Sequence, residues 1–246
     1  MRSSVTRIAM WSGPRNLSTA LMRSFSARSD TAVVDEPFYA AYLATTGLEH
    51  PLRSEVLAAQ SHDPRAVAAA LLGPVPDDKP IYYQKHMTHH MLPGFDRNFI
   101  DALTNAFLLR DPLEVLASYV EARAEVELSD IGILQQRELF ERTSDRLGAP
   151  PPTVDSGDLL ADPERVLHAL CQALGIDYTD TMLSWPTGRH PSDGVWAPAW
   201  YAAVERSSGF APPRPARTTQ LSAALAHIAD AARPHYEYMA AYRIRA

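Results

Sequence analysis

Five short apolar runs, most of them separated by segments with helical periodicity, constrain this chain more than any other feature. The runs are Arg7–Met10, Ala32–Val34, Ile81–Tyr83, Ala106–Leu109 and Thr153–Val154. Between and after them, Ser18–Arg28, Asp63–Leu72, Pro112–Arg123, Asp130–Leu147 and Asp162–Leu174 repeat their apolar positions at helical spacing,. Strands alternating with helices predict a three-layer α/β fold, with a mainly parallel sheet of about five strands covered by helices on both faces. Ligands of such sheets bind beyond the carboxyl ends of the strands. The turns after these runs are therefore where chemistry is expected.

A chain of 246 residues with 46% hydrophobic and 21% charged residues suits one globular domain over residues 1–246,. Pro-rich stretches at Gly73–Pro80, Ala149–Pro152 and Ala211–Pro215 read as loops, not domain boundaries,. A formal net charge of −6 argues against a general nucleic-acid binder,. It leaves room for a local anion site built from a few Arg residues and backbone N–H groups. Cys171 is the single cysteine, so no intrachain disulfide forms, as in a reducing compartment,. The first residues carry no secretory apolar core, and no apolar run reaches membrane-spanning length,. A cytoplasmic location is expected.

The turn after the first run reads Ser12-Gly13-Pro14-Arg15-Asn16-Leu17-Ser18-Thr19 and opens a helix. Unpaired N–H groups and the dipole of a helix start attract anions. Ser18 and Thr19 add hydroxyl donors, and Arg15 adds a fixed charge with a fork of donors,. The Gly-Lys of a Walker A loop is missing,. A plain strand-to-helix turn capped by Ser or Thr accounts for the same residues. After the fourth run, Arg110 ends the strand, Asp111 suits an N-cap and Pro112 the first helical position,. Ser118 follows roughly 9 Å along that helix. Arg110 and Ser118 would grip one anionic group at a distance from the first turn. Alternatively, Arg110 pairs with a surface carboxylate and Ser118 is a neutral helix residue.

Together these turns resemble the sulfotransferases that use 3′-phosphoadenosine 5′-phosphosulfate (PAPS), which have a P-loop NTPase-like fold. Pro14, Arg15, Ser18 and Thr19 match the family's 5′-phosphosulfate loop, and Arg110 and Ser118 match the spacing of its 3′-phosphate motif. Residues 156–176 resemble its late strand-and-helix segment, with Gly157 where an acidic residue is common. Residues 9–37 and 183–210 look closest to a subgroup sometimes labelled aminotransferase-like. The resemblance implies that Gly13, Pro14, Arg15, Asn16, Leu17, Ser18, Thr19, Arg110 and Ser118 bind PAPS, with 3′,5′-ADP as product. Arg206, in Arg206-Ser207-Ser208-Gly209, is a loose match to the segment that closes the donor site. Arg15 stands where cytosolic members place Lys, and it would stabilise the leaving phosphate.

Sulfuryl transfer needs an in-line acceptor, stabilised charge and a base for the acceptor's proton. His86 is the first candidate base: Gln84 and His86 occupy the family's Lys and His positions, and a neighbouring ammonium on Lys85 would lower the imidazole's pKa,. Glu36 is the second, directly after the second strand run. Helix capping by Glu36 before Pro37 explains it equally simply. His86, His89 and His90 invite a metal reading, but HExxH spacing is absent and no metal is expected,. Tyr39, Tyr42, His89 and His90 are guesses for the acceptor pocket. The segment Trp185–Phe210, rich in aromatics and punctuated by Gly, reads either as a lid or adenine platform or as a loop packed on the core,.

The expected activity is transfer to a hydroxyl or amine of a small molecule, with neither nucleic acid nor membrane as partner and a homodimer allowed. Three other readings stand beside it: a nucleotide-dependent phosphotransferase, a non-catalytic nucleotide-binding module, and a pyridoxal-phosphate aminotransferase. The last needs a Schiff-base Lys, and only Lys79 and Lys85 exist,.

Overall fold

The computed structural model describes residues 5–119, 126–212 and 222–245. Five strands form one sheet: β1 (Thr6–Ser12), β2 (Thr31–Asp35), β3 (Ile81–Met87), β4 (Thr104–Leu109) and β5 (Thr153–Asp155). Their spatial order is β2-β3-β1-β4-β5, with every pairing parallel. Each expected run lies inside a strand. The largest extension is β3, which continues through Gln84, Lys85 and His86. Their polarity hides the strand from a reading of hydrophobicity, yet all three are buried.

Side chains alternate across a strand, so β1 serves two cores at once. Ile8 and Met10 pack with Leu21, Met22 and Phe25 of α1 (Ser18–Ser26) on one face. Ala9 and Trp11 face the opposite core. The chain between β2 and β3 carries α2 (Tyr39–Thr46), α3 (Arg53–Ala59) and α4 (Pro64–Leu72). After β4 come α5 (Pro112–Tyr119) and α6 (Ile133–Leu147). After β5 come α7 (Ser156–Ala161) and α8 (Pro163–Leu174), then the short helices α9 (Ala197–Trp200) and α10 (Ala202–Glu205), and finally α11 (Ala223–Ala240). Helices α7 and α8 join α1 on its face, while α4, α5, α6 and α11 cover the other.

Local chemistry accounts for most helix limits. Asp63 and Asp162 cap α4 and α8 through their side chains, each ahead of a Pro,. Helix α6 starts at Ile133, later than the expected Asp130, because Gly132 adopts φ 65° and breaks the helical run. The expected continuation of α5 through Arg123 lies outside the described residues beyond Tyr119. Helix α11 was not expected: it is Ala-rich and contains Pro234.

Candidate active site

Strands β1 and β4 are neighbours, but the chain leaves β1 toward β2 and leaves β4 toward β5. This is the topological switch point, where a crevice opens between the two following turns. The turn after β1 lies there. Arg15 (φ 63°) and Leu17 (φ 69°) both adopt left-handed backbone conformations, although neither is Gly. Such residues are strained, and strain of this kind concentrates at functional turns. Left-handed residues alternating in a turn gather backbone N–H groups into an anion-binding concavity.

Buried side chains clamp this strained backbone. Gln136 Nε2 donates to the Trp11 carbonyl (3.2 Å), while Thr88 and Ser156 share their hydroxyl protons between the Ser12 and Asn16 carbonyls (3.3 and 3.1 Å) and the nearer ones of Gly132 and Leu109 (2.9 and 2.5 Å). Asn16 Nδ2 in turn donates to the Leu108 carbonyl of β4 (3.3 Å). A Cβ on Gly13 would sit 2.4 Å from the carbonyl oxygen of Ile131, so only Gly fits. Ser12 Oγ is buried and has no hydrogen-bond partner among the described residues. An orphaned hydroxyl before an anion-type turn fits a site that a ligand completes.

The second arm meets the first directly. Arg15 Nε donates to Ser118 Oγ at 2.9 Å, and Arg110 Nη1 donates to the Arg15 carbonyl at 2.7 Å. The separation expected between the two anion sites is therefore bridged by Arg15 itself. Arg110 also pairs with Glu114 (3.0 Å), as the surface-carboxylate alternative expects. Sequence reasoning missed the support behind this arm. Asp111 accepts from Leu113 N at 2.8 Å and holds a bidentate pair with Arg233 of α11 at 2.6 and 3.0 Å. Arg206 is exposed at the end of α10.

A buried charge cluster occupies the ends of β2 and β3. Asp35 and Lys85 are register partners, and Lys85 Nζ donates to Asp35 Oδ1 (2.8 Å), Glu36 Oε1 (2.5 Å) and Tyr201 Oη (2.8 Å). Burial opposes the Lys85 charge, but Asp35 and Glu36 outweigh it and hold the ammonium pKa above its usual value. Burial pushes the Glu36 carboxyl above the usual carboxylate range, and the charge of Asp35 adds to that; Lys85 opposes it. The Glu36 side chain keeps 11% of its surface exposed, against 1% for Asp35 and for Lys85. Its backbone is also left-handed, at φ 41°.

His86 faces the other way. Consecutive strand residues point to opposite faces, so His86 lies across β3 from Lys85. It stacks on Trp11 at 4.3 Å between ring centroids and lies near Phe38 and Phe99. Its Nε2 meets Gln84 Oε1 at 3.2 Å. Burial pulls its pKa down to about 3. The expected cause, the Lys85 ammonium, is corrected here to desolvation.

Tyr39, Tyr42, His89 and His90 do come together, with His90 stacked on Tyr39 and Tyr42 at 4.7 and 4.8 Å. Tyr39 also senses the charge of Glu36, which with burial raises its pKa. Among the described residues, no three His, Cys, Asp or Glu side chains converge as a metal site. In the Trp185–Phe210 segment, Trp185, Trp196 and Tyr201 are buried, so the packed-loop reading describes them. Its sequence signal gave no sign of the Tyr201 hydroxyl, which joins the buried charge cluster. The adjacent carboxylates Asp35-Glu36, together with one of only two lysines placed inside a strand, were the signal that could have pointed to the cluster.

A family model described as "Sulfotransferase domain" matches residues 6–243. The chain belongs to the sulfotransferase family. Among its curated relatives are two proteins of Arabidopsis thaliana, branched-chain-amino-acid aminotransferase-like proteins 1 and 2. They are 39% and 36% identical over 210 and 209 residues, which is 84% of this chain in both cases. The chain spans little more than a third of their length, 37% and 36%. Its fold is shared with the sulfotransferase domain from the curacin biosynthetic pathway (TM-score 0.56, 16% identity, 94% of this chain and 98% of that one). It is also shared with a sulfotransferase from Alicyclobacillus acidocaldarius (TM-score 0.54, 15% identity, 76% and 87%). Among the described residues, no helix is long and apolar enough to cross a membrane.

Proposed function

We propose that this sulfotransferase moves a sulfuryl group from PAPS to a hydroxyl or amine of a small molecule, acting in the cytoplasm as a single domain. The observation that carries the donor assignment is the contact of Arg15 with Ser118 at the switch point, with Arg110 on the Arg15 carbonyl. A strained anion turn and a second Arg–Ser arm in one crevice suit a donor with two separated anionic groups. Backbone N–H groups of residues 13 and 15–19, with Ser18, Thr19 and Arg15, receive the 5′-phosphosulfate, and Arg110 and Ser118 the 3′-phosphate.

Glu36 is the better base. His86 is shut in an aromatic box on the far face of β3 and holds a proton too weakly to serve. Glu36 follows β2, two strand spacings from β1, or roughly 10 Å. It is the least buried member of its cluster, and its raised pKa makes it a stronger base than an ordinary carboxylate,. In the reaction the acceptor oxygen or nitrogen forms a bond to sulfur while the bond from sulfur to the 5′-phosphate oxygen breaks. The acceptor's proton passes to Glu36, and the electron pair leaves with 3′,5′-ADP, stabilised by Arg15.

The aminotransferase names of the relatives do not extend to this site. Lys85 is sealed between two carboxylates, and Lys79 donates to the Ser29 carbonyl in a loop. A thermal-shift comparison tests the donor. At a hundredfold excess over Kd, 3′,5′-ADP stabilises by about 2.7 kcal/mol, or roughly 5–10 °C for a chain of this length. ATP with magnesium leaves the Tm near its starting point. Stabilisation by ATP–magnesium alone favours a phosphotransferase instead. A screen of acceptors with labelled PAPS then separates an enzyme from a nucleotide-binding module.

A further inference from the structure

We infer that Tyr201 is a positioning residue for Glu36: its phenol oxygen, held by Lys85 and Trp196, locks the Asp35–Lys85–Glu36 set in one arrangement and leaves Glu36 as the member turned toward the acceptor. This rests on Glu36 as the base of the proposed reaction.

The hydrogen bonding uses the phenol's whole capacity. A tyrosine hydroxyl accepts two hydrogen bonds and donates one. Tyr201 Oη accepts from Lys85 Nζ (2.8 Å) and Trp196 Nε1 (3.0 Å). Its proton is directed to Asp35 Oδ2 at 2.7 Å, with Glu36 Oε1 as the alternative acceptor at 3.3 Å. Asp35 is then committed on both oxygens: Oδ1 to Lys85, and Oδ2 to Tyr201 and to the Gly194 N–H at 3.1 Å. The three Lys85 N–H bonds are committed to Asp35, Glu36 and Tyr201. With Asp35 and Lys85 occupied in this way, the proton from the acceptor goes to Glu36.

The segment that delivers Tyr201 is built for a fixed approach. It is pinned by the Ser184–Gly209 bridge and by Trp185 N donating to the Ser208 carbonyl. A Cβ on Gly194 would stand 2.1 Å from the Trp196 ring, so the backbone there runs flush against the indole that grips the phenol. Other charged and titratable groups also surround the set. The buried Arg23–Asp193 pair (2.6 Å) lies behind Asp35 from α1 and the 184–210 segment, Tyr39 faces Glu36 from α2, and His90 lies within reach of Lys85.

Carboxyl-carbon NMR of the full chain labelled at Glu tests this without an acceptor. The Glu36 signal is the one that disappears in Glu36→Gln. Tyr201→Phe removes only the hydroxyl, and its loss raises the Glu36 titration midpoint by about one pH unit. Once an acceptor is in hand, kcat falls about tenfold with donor KM unchanged, because Glu36 loses its fixed orientation. Should Tyr201→Phe fold poorly, Trp196→Phe withdraws the indole donor and produces a smaller upward shift. An unmoved midpoint in a variant that melts and binds 3′,5′-ADP like the parent overturns the role of Tyr201 while leaving Glu36 as base. Turnover retained in Glu36→Gln overturns the base itself, whatever the midpoints do.

Discussion

The anion turn at β1 and the charge cluster at the ends of β2 and β3 lie at the same edge of one sheet and are built in opposite ways. The turn is local in sequence, strained in backbone and held from outside by other elements, and one of its buried hydroxyls has no partner among the described residues. The cluster is assembled from residues up to 166 positions apart, and it meets its hydrogen bonds internally. One region suits a ligand that arrives with negative charge. The other suits a fixed device with a single member, Glu36, left partly exposed. In the proposed reaction, donor binding and proton removal fall to structures that can fail separately.

The sharpest way to break this division is Lys85→Met. Removing one partner of a buried charge set strands the others and costs about 3–5 kcal/mol, read by urea unfolding at pH 7. The donor turn shares no side chain with the cluster, so material that remains folded still binds 3′,5′-ADP. Loss of that binding in the folded fraction would merge the two regions into one. Arg110→Ala works from the other side. Losing charge-assisted hydrogen bonds, about 2 kcal/mol, weakens 3′,5′-ADP binding by roughly 30-fold in calorimetry and leaves the Glu36 titration in place. A weakening of similar size in Glu36→Gln would blur the distinction.

The smallest effect concerns the histidine across the strand. His86 titrates near 6.5 when unfolded and at about 3 when folded. Between those values the unfolded chain binds a proton that the folded one refuses, so stability falls as pH drops through that window. The loss is about 1.4 kcal/mol per pH unit for this group. His86→Phe flattens the urea-unfolding stability between pH 6.5 and 5.5 by about that amount and leaves kcat within a few-fold. A large fall in kcat with unaltered acid stability would return His86 to the role of base.

The residues of the proposed donor arm could be picked out together because they are contiguous. Gly13, Arg15, Ser18 and Thr19 lie in one turn, and Arg110 and Ser118 flank one helix start. The proposed base was harder to read. His86 and Lys85 are neighbours in sequence, and sequence proximity suggested that they act on one another. The two-residue period of a strand separates them to opposite faces, so the ammonium serves Glu36 and the imidazole serves packing. Tyr201 could be read only as an aromatic in an aromatic-rich loop, since its hydroxyl's partners are far away in sequence. Arg233, which holds the start of α5, was hidden for the same reason.

The sequence alone determined the layers of this protein and the anion turn, because alternation of apolar runs and the chemistry of a single turn are local properties. The tertiary structure alone decided which polar groups share a buried space, that Lys85 and His86 face opposite ways, and that Arg15 meets Ser118. Those outcomes depend on strand order and on which face each side chain occupies, and both are set when distant segments pack together.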